Sequence, residues 1–142
     1  MYAIGERING MFKSVKDAIQ TKNPEAIHEL AKKQLAAGAN CLDVNVGPAA
    51  AEPVEAMEWL VKAVREVTDA PLAIDTTKPD VMRKGLEVAG PGSIINSTKG
   101  TQDQLDIFIP MAVEHDATLI ALTIDENGIP RDANGRAEIA LR

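Results

Sequence analysis

Aromatic residues and cysteine are scarce in this sequence. Trp, Tyr and Phe make up 3% of the 142 residues, so a core has to be built from Ala, Val, Ile, Leu and Met. Such side chains suit parallel strands covered by helices and fit a β-sandwich poorly. The one cysteine, Cys41, cannot form an internal disulfide. A lone cysteine is typical of a reducing compartment and predicts a cytoplasmic protein.

Three kinds of partner lack the residues that would bind them. The net charge is −6 and no basic stripe is present, which argues against a nucleic-acid partner. The two histidines, His28 and His115, stand in no HxxxH pattern and no CxxC pair occurs, so a zinc site has no support. No apolar run approaches the ~20 residues of a membrane span. We therefore expect no nucleic acid, no metal and no membrane.

Five short apolar runs alternate with longer segments of helical period. The predicted strands are residues 2–4, 41–46, 71–75, 93–96 and 118–124. Helices are predicted to begin at Asn23-Pro24, near Pro53, after Thr77 and at Thr101, with a further start at 137–142. Strands that alternate with helices predict a parallel sheet with right-handed crossovers.

Polar residues follow every predicted strand. They are Glu6, Arg7 and Asn9, then Asp43 and Asn45, then Asp75, Thr76 and Thr77, then Asn96, Ser97 and Thr98, and finally Thr123 and Asp125. A doubly wound sheet binds ligands only at a switch point, whereas all strands of a barrel end at one mouth. No GxGxxG or P-loop motif is present. The pattern predicts an α/β fold, the N-terminal part (about five β/α units) of a TIM (β/α)₈ barrel.

The polar groups at this predicted mouth are mainly carboxylates and amides. Cations are few there, with Arg7, Lys78 and Lys99 the nearest in sequence, so a phosphate ligand is disfavoured. Carboxylate and amide groups suit a heterocycle that presents N–H and NH₂ donors, as a pterin does. Many sugars would satisfy the same groups, and the residues alone leave both ligands open.

Four segments resemble the pterin-binding methyltransferases. They are IGERIN at 4–9, AGANCLDVNVG at 37–47, IDT at 74–76 and IINS at 94–97, in that order, and the likeness extends to about residue 130. The resemblance is to methyltetrahydrofolate:corrinoid/iron-sulfur-protein methyltransferases and to methylcorrinoid:tetrahydrofolate methyltransferases. Dihydropteroate synthase is a more distant relative in the same group.

The resemblance implies specific roles for residues at the mouth. Asp75 and Asn96 would hydrogen-bond the pterin ring, with Ser97 beside them, and Glu6, Asp43 and Asn45 would line the same mouth. The implied reaction moves a methyl group between N5 of methyltetrahydrofolate and the cobalt of a corrinoid carried by a partner protein. A general acid for N5 is expected in principle, but no residue is assigned to it. The full-length protein would be a homodimer, and the direction of transfer is left open.

Barrels of this family have eight strands, whereas five are predicted here. Residues 1–142 are therefore expected to be a pterin-binding domain truncated after the fifth strand, either as a fragment of a longer protein or as a chain that assembles with a second copy. The fragment is the preferred interpretation. The alternative functions are a dihydropteroate synthase-like enzyme and a non-catalytic pterin-binding module. A structural alternative is also kept, in which Asp75 caps a helix, Asp43 and Asn45 form a buried network, and Glu6 pairs with Arg7.

Overall fold

The computed structural model describes residues 1–48 and 50–142. Strands and helices alternate along the chain, except that two helices follow the first strand. The order is β1 (Ile4–Asn9), α1 (Lys13–Thr21), α2 (Glu25–Ala36), β2 (Cys41–Asn45), α3 (Pro53–Arg65), β3 (Leu72–Asp75), α4 (Pro79–Ala89), β4 (Ile94–Lys99), α5 (Gln102–Glu114), β5 (Thr118–Leu122) and α6 (Ala133–Ala140).

The five strands form one parallel sheet in the order in which they occur along the chain. Each strand pairs with its successor, so the sheet runs β1-β2-β3-β4-β5 with no reversal. A doubly wound sheet reverses its strand order at a switch point, whereas the wall of a TIM barrel adds strands in one direction. The predicted fold is confirmed: the chain folds as the N-terminal part of a TIM barrel.

The sheet has one face toward the helices and one toward the barrel interior. Side chains that alternate with the site residues along β2, β3 and β4 are fully buried in the main core under the helices; they are Leu42, Val44, Leu72, Ile74 and Ile95. The opposite face starts with a small second cluster of Cys41, Ala73 and Ile94, against which Ile4 and Ile120 pack. Because side chains alternate along a strand, the residues beyond this second cluster on the same face are Asp43, Asn45, Asp75 and Asn96.

The ends of α2 follow the predicted signals. The Asn23 side chain accepts a hydrogen bond from the Glu25 amide at 3.1 Å, and Pro24 stands just before the first helical residue. After the helix, Gly38 has φ +98°, which a side chain would strain. The C-terminal end is therefore as predicted, whereas the helix begins one residue later than predicted, with Pro24 rather than Asn23 at the N-cap position.

Helix α1 was not expected. Its residues are mostly polar and only Val15, Ala18 and Ile19 are buried. Because three apolar positions are too few to show a clear helical pattern, the segment resembles a loop in the sequence. Strands β1 and β4 also extend beyond their predicted ends, to Asn9 and Lys99. Their last residues are polar because they approach the barrel mouth. An apolar run therefore ends before the strand does, and the sequence pattern predicts too short a strand.

Two predicted helix caps are wrong in detail. Helix α4 begins after Lys78 rather than Thr77, and neither Lys78 nor Thr101, which precedes α5, makes a side-chain cap hydrogen bond. The apolar spacing of Leu105, Phe108, Ile109 and Ala112 predicts that these four residues form the inner face of α5. The buried residues are Phe108, Met111 and Ala112, whereas Ile109 is 49% exposed. The buried face of α5 therefore includes Met111 in place of Ile109.

Candidate functional site

Four side chains meet where β2, β3 and β4 end. The Asn45 amide nitrogen donates to Asp75 Oδ2 at 2.6 Å, and the Asn96 amide nitrogen donates to Asp43 Oδ1 at 2.9 Å. Asp75 and Asn96 are direct partners in the β3–β4 register. The sheet therefore assembles two carboxylate–amide pairs that share strand β2.

The orientation of the Asn45 amide is fixed from both sides. Its Oδ1 accepts a hydrogen bond from the Gly47 backbone N–H at 2.7 Å, which leaves Nδ2 for Asp75. The loops after β1 and β2 touch at this point, because the Gly10 amide donates to the Asn45 carbonyl at 2.8 Å. A Cβ at Gly10 would overlap the Val46 carbonyl, so only glycine allows this approach. The two loops therefore lie against each other beside Asp75.

The unpaired atoms of this cluster are hydrogen-bond acceptors. Both amide nitrogens are engaged within the cluster, and in residues 1–48 and 50–142 no protein donor reaches Asp75 Oδ1, Asp43 Oδ2 or Asn96 Oδ1. Three free oxygens favour a ligand that brings several N–H donors. The cluster can thus bind an amino-substituted heterocycle by its donor edge.

Asp43 is the most perturbed group of the site. It is 2% exposed, and this burial raises the pKa of its carboxyl to about 7. The hydrogen bond from Asn96 lowers the pKa, while the charges of Asp75 and Glu6 raise it. Asp43 is therefore present in both protonation states near neutral pH, the property required of a group that exchanges protons.

Glu6 and Ser97 lie at the mouth but outside the paired cluster. Glu6 is exposed and acts on Asp43 by its charge, and no ion pair joins it to Arg7 in the described part of the chain.

Arg7 instead stacks on Phe12, with 3.9 Å from the guanidinium carbon to the ring centroid. The Gln34 side chain accepts from the Arg7 amide at 2.8 Å, where the β1–β2 register shifts. The Asn96–Ser97 peptide bond is cis.

Two cavities lie at this end of the sheet, and one of them is lined by residues of the cluster. One, of about 430 Å³, is lined by Asn45 and Asp75 together with residues of the loops after β1, β2 and β3. The other, of about 610 Å³, is lined by Ser97 and by residues at the ends of β4 and β5 and the start of α5. We call them the β2 cavity and the β5 cavity. Of the predicted site residues, Asn45 and Asp75 therefore line the β2 cavity, whereas Ser97 lines the β5 cavity.

The described residues form neither a metal-binding cluster nor a membrane-spanning helix. Among them, no three His, Cys, Asp or Glu side chains converge in a way that could hold a metal ion. None of their helices has the length and apolar character needed to cross a bilayer.

Comparison with known proteins identifies the family. The family described as pterin binding enzyme matches residues 5–140, which includes every residue of the cluster. The chain belongs to the pterin-binding enzyme family. The free oxygens of the cluster suit a heterocycle that presents N–H donors along one edge.

Several members of the pterin-binding enzyme family are similar in sequence. Methylcorrinoid:tetrahydrofolate methyltransferase of Eubacterium limosum is 32% identical over 141 residues, covering 98% of this chain and 52% of that protein. Methionine synthase of Mycobacterium tuberculosis is 32% identical over 145 residues, covering 98% of this chain and 12% of that protein. Dihydropteroate synthase of Synechocystis is 30% identical over 112 residues, covering 73% of this chain and 37% of that protein. The chain spans about half the length of the first relative and less of the others.

Some residues beside the cluster were not assigned to the site from sequence. Met11 and Lys78 line the β2 cavity together with Asp75. The sequence places Lys78 among the few cations near the mouth, three positions after Asp75, but gives it no role. Met11 carried no such signal, because it lies in a turn before the unexpected helix α1.

Proposed function

We propose that this chain is the pterin-binding part of a methyltransferase that moves a methyl group between N5 of methyltetrahydrofolate and the cobalt of a corrinoid protein. The observation that carries the proposal is the pair of carboxylate–amide hydrogen bonds at the ends of β2, β3 and β4. They hold Asp75 and Asn96 side by side with oxygen atoms free for a ligand. Asp75 and Asn96 are the residues that we assign to the pterin ring.

The donor pattern of a pterin matches these oxygens. Its pyrimidine edge carries an N–H and an NH₂ group, which Asp75 accepts as a carboxylate and Asn96 accepts through Oδ1. Hydrogen bonds to a charged group contribute about 1.5–3 kcal/mol each. A ligand without these donors would leave the oxygens unpaired, at a cost of about 1–3 kcal/mol for each buried group, so the site selects for the edge.

The chemistry of methyl transfer makes a second demand on the site. N5 of the folate becomes a better leaving group when it gains a proton, and the reverse transfer releases that proton. No residue of the cluster is assigned to this proton, because Asp43, with a pKa of about 7, is bonded to Asn96 at the edge that we assign to the pyrimidine donors. The corrinoid cobalt, when its protein docks, supplies the other methyl site. The direction of transfer is not assigned.

The whole protein is part of the same proposal. The named methyltransferase relative is about twice as long as the matched segment, since 98% of this chain covers 52% of it. We propose that residues 1–142 are the first part of a pterin-binding domain whose remaining strands belong to a longer parent. The corrinoid protein as partner, a homodimer of the full-length protein and a cytoplasmic location remain predictions.

Asp75→Asn tests the assignment of the site. The substitution keeps the shape of the side chain and an oxygen for Asn45 but removes the charge. We expect the dissociation constant for 5-methyltetrahydrofolate to rise roughly 10- to 100-fold, because a charge-assisted hydrogen bond is lost. Isothermal titration calorimetry of the folded 142-residue chain measures it, with circular dichroism as the check on folding.

Asp106→Asn is the matched control, because Asp106 is exposed on α5 and its side chain accepts only from Gln102 in the described residues. Its affinity should equal that of the wild type. Equal affinity in Asp75→Asn would contradict the site assignment. No heat from a folded wild-type chain would contradict binding by these five strands.

A dihydropteroate synthase-like activity is the rival within the family, since one relative carries that name. That enzyme would prefer a pterin bearing a pyrophosphate, which needs a cluster of cations. Competition of a pterin pyrophosphate against 5-methyltetrahydrofolate separates the two, and tighter binding of the pyrophosphate would favour the rival. A pterin-binding chain that transfers no methyl group to cob(I)alamin, even within its longer parent, would be the non-catalytic module.

A further inference from the structure

We infer that Asp43 makes the site specific for a ligand with a donor edge, because its carboxylate fixes which atom of the Asn96 amide faces the ligand. Asp43 is then a positioning residue, which acts on the ligand through Asn96. The inference rests on the proposed function and deepens it. It names the residue that sets the preference of the site for a ring with an amino group over one with an oxo group at the same position.

The first argument is the chemistry of the amide. An Asn side chain has a carbonyl oxygen that accepts and an NH₂ group that donates, and turning the amide over exchanges the two. An ionised carboxylate only accepts, so Asp43 bonds Asn96 through Nδ2, at 2.9 Å. Within residues 1–48 and 50–142 no other hydrogen bond orients this amide. Asn96 Oδ1 is thereby left for the ligand.

The second argument is the path of this hydrogen bond across the sheet. Asp43 lies on β2 and Asn96 on β4, with β3 between them. The β3 residue in register with Asp43 is Ala73, which is fully buried and whose side chain is a single methyl group. A larger side chain at this position would stand between the two, so the small residue lets Asp43 reach an amide two strands away. Because Asp43 is buried, water does not compete for the bond.

The third argument is a contrast between the two amides of the cluster. The Asn45 amide is held by the Gly47 backbone N–H, a donor that does not titrate. The Asn96 amide depends instead on a carboxyl group. A protonated carboxyl group can donate as well as accept, so it can bond Asn96 Oδ1 and release Nδ2 toward the ligand. Protonation of Asp43 therefore changes the atom that Asn96 presents, whereas Asn45 is held at any pH.

The pH range of this change follows from the surroundings of Asp43. Burial raises the pKa of its carboxyl to about 7, the Asn96 hydrogen bond lowers it, and the charges of Asp75 and Glu6 raise it. The titratable groups that face Asp43 are Glu6 on β1, Asp75 on β3 and Cys41 on its own strand. Above about pH 7 the ionised carboxylate holds Asn96 Oδ1 outward, and below it the amide is free to turn. The affinity for a donor edge should thus rise with pH through this range.

The test compares two ligands that differ at one ring position. A tetrahydropterin presents an amino donor there, whereas the corresponding tetrahydrolumazine presents an oxo acceptor and carries a proton on the neighbouring ring nitrogen. Both are titrated calorimetrically at about pH 8 into the 142-residue chain and into Asp43→Asn, whose amide can donate or accept and so cannot fix Asn96. We expect the ratio of the two dissociation constants, the preference for the pterin, to fall roughly three- to tenfold in the variant, as for one hydrogen bond.

The pH dependence of this preference is the second readout. In the wild type the preference should fall between about pH 8 and pH 6, and in Asp43→Asn it should stay constant. Asp106→Asn, which removes an exposed carboxylate on α5, is the matched control and should behave as the wild type. A pH dependence that Asp43→Asn shares with the wild type would overturn the inference, because it would come from the ligand.

A double-mutant cycle separates action through Asn96 from direct contact with the ligand. In an Asn96→Ala background, Asp43→Asn should leave the preference unchanged. The inference is overturned if the substitution alters the preference equally in that background, if it has no effect in the wild-type background, or if the wild type shows no preference at all.

A measurement without ligand keeps the test independent of binding. The side-chain NH₂ signals of Asn96, identified by their absence from Asn96→Ala, are followed by NMR of the isotopically labelled chain between about pH 6 and pH 8. We expect them to move as Asp43 ionises and to stay in place in Asp43→Asn. Signals that do not move in the wild type overturn the inference. Failure of the wild type to bind either ligand would contradict the proposed function, while these signals still decide whether Asp43 orients Asn96.

Discussion

On the helix-facing side of the sheet, β2, β3 and β4 bury Leu42, Leu72 and Ile95 completely, whereas on the barrel-facing side the same strands carry Asp43, Asp75 and Asn96. The two faces share one backbone and differ by one residue in register. On β2 and β3 the helix face is apolar along its whole length. The barrel face is apolar only at its amino end, where Cys41 and Ala73 are buried.

The difference shows where polar groups can be placed without unfolding the chain. A buried unpaired carboxylate or amide costs about 1–3 kcal/mol, but each of these is paired with another at 2.6–2.9 Å. The helix face therefore holds the fold together, and the barrel face carries a polar cluster that the rest of the fold supports. The predictions below test this division, beginning with the largest effect.

Ile74→Ala should produce the largest loss of stability. Ile74 is fully buried on the helix face, and truncation of such a side chain costs about 2–5 kcal/mol because a cavity remains. The free energy of unfolding is measured by urea denaturation. Ile107→Ala is the matched control, since Ile107 is 41% exposed, and it should cost under about 1 kcal/mol. Equal losses in the two variants would contradict the assignment of the core to the helix face.

Asp43→Asn should remove a pH dependence of stability that the barrel face contributes. The pKa of Asp43 is raised from 3.8 to about 7 in the folded chain, so its favourable contribution is complete below the lower value, declines as the pH rises from there, and is lost above 7. Between about pH 5 and pH 8, the wild type should lose about 3 kcal/mol of unfolding free energy relative to the variant.

The measurement is urea denaturation of both proteins across that pH range, with Asp106→Asn as a carboxylate control on an exposed helix position. The Asn side chain keeps an oxygen for Asn96, so the difference reports the charge. Parallel pH profiles for wild type and Asp43→Asn would show that Asp43 has no raised pKa.

Ile94→Val should have the smallest effect of the three. Ile94 belongs to the apolar end of the barrel face, and the loss of one methylene there costs about 0.5–1.5 kcal/mol. We expect the affinity for 5-methyltetrahydrofolate to stay within twofold of the wild type, since this end lies away from the paired cluster. A large loss of affinity by calorimetry with folding intact would mean that the ligand reaches the apolar end.

Much of the fold followed from local signals in the sequence. Gly38 follows the end of α2 as expected, the helix begins within two residues of Asn23, and Pro53 begins α3. The predictions were wrong where a segment's position in the fold gives it a residue pattern that is not typical of its secondary structure. Helix α1 buries too few residues to show a clear period, and the last residues of β1 and β4 are polar because they approach the mouth.

The sequence by itself determined the alternation of strands and helices and the residue types at each strand end, because both depend on neighbours in the chain. Tertiary structure alone decided which carboxylate meets which amide, since Asp43 and Asn96 are 53 residues apart and Asn45 and Asp75 are 30 apart. The raised pKa of Asp43 likewise arises only when folding removes it from water beside Asp75 and Glu6. The excess of carboxylates in the β5 cavity, where Asp103, Asp125 and Glu126 lie with Lys99, depends on the same long-range packing, which brings distant loops to one mouth.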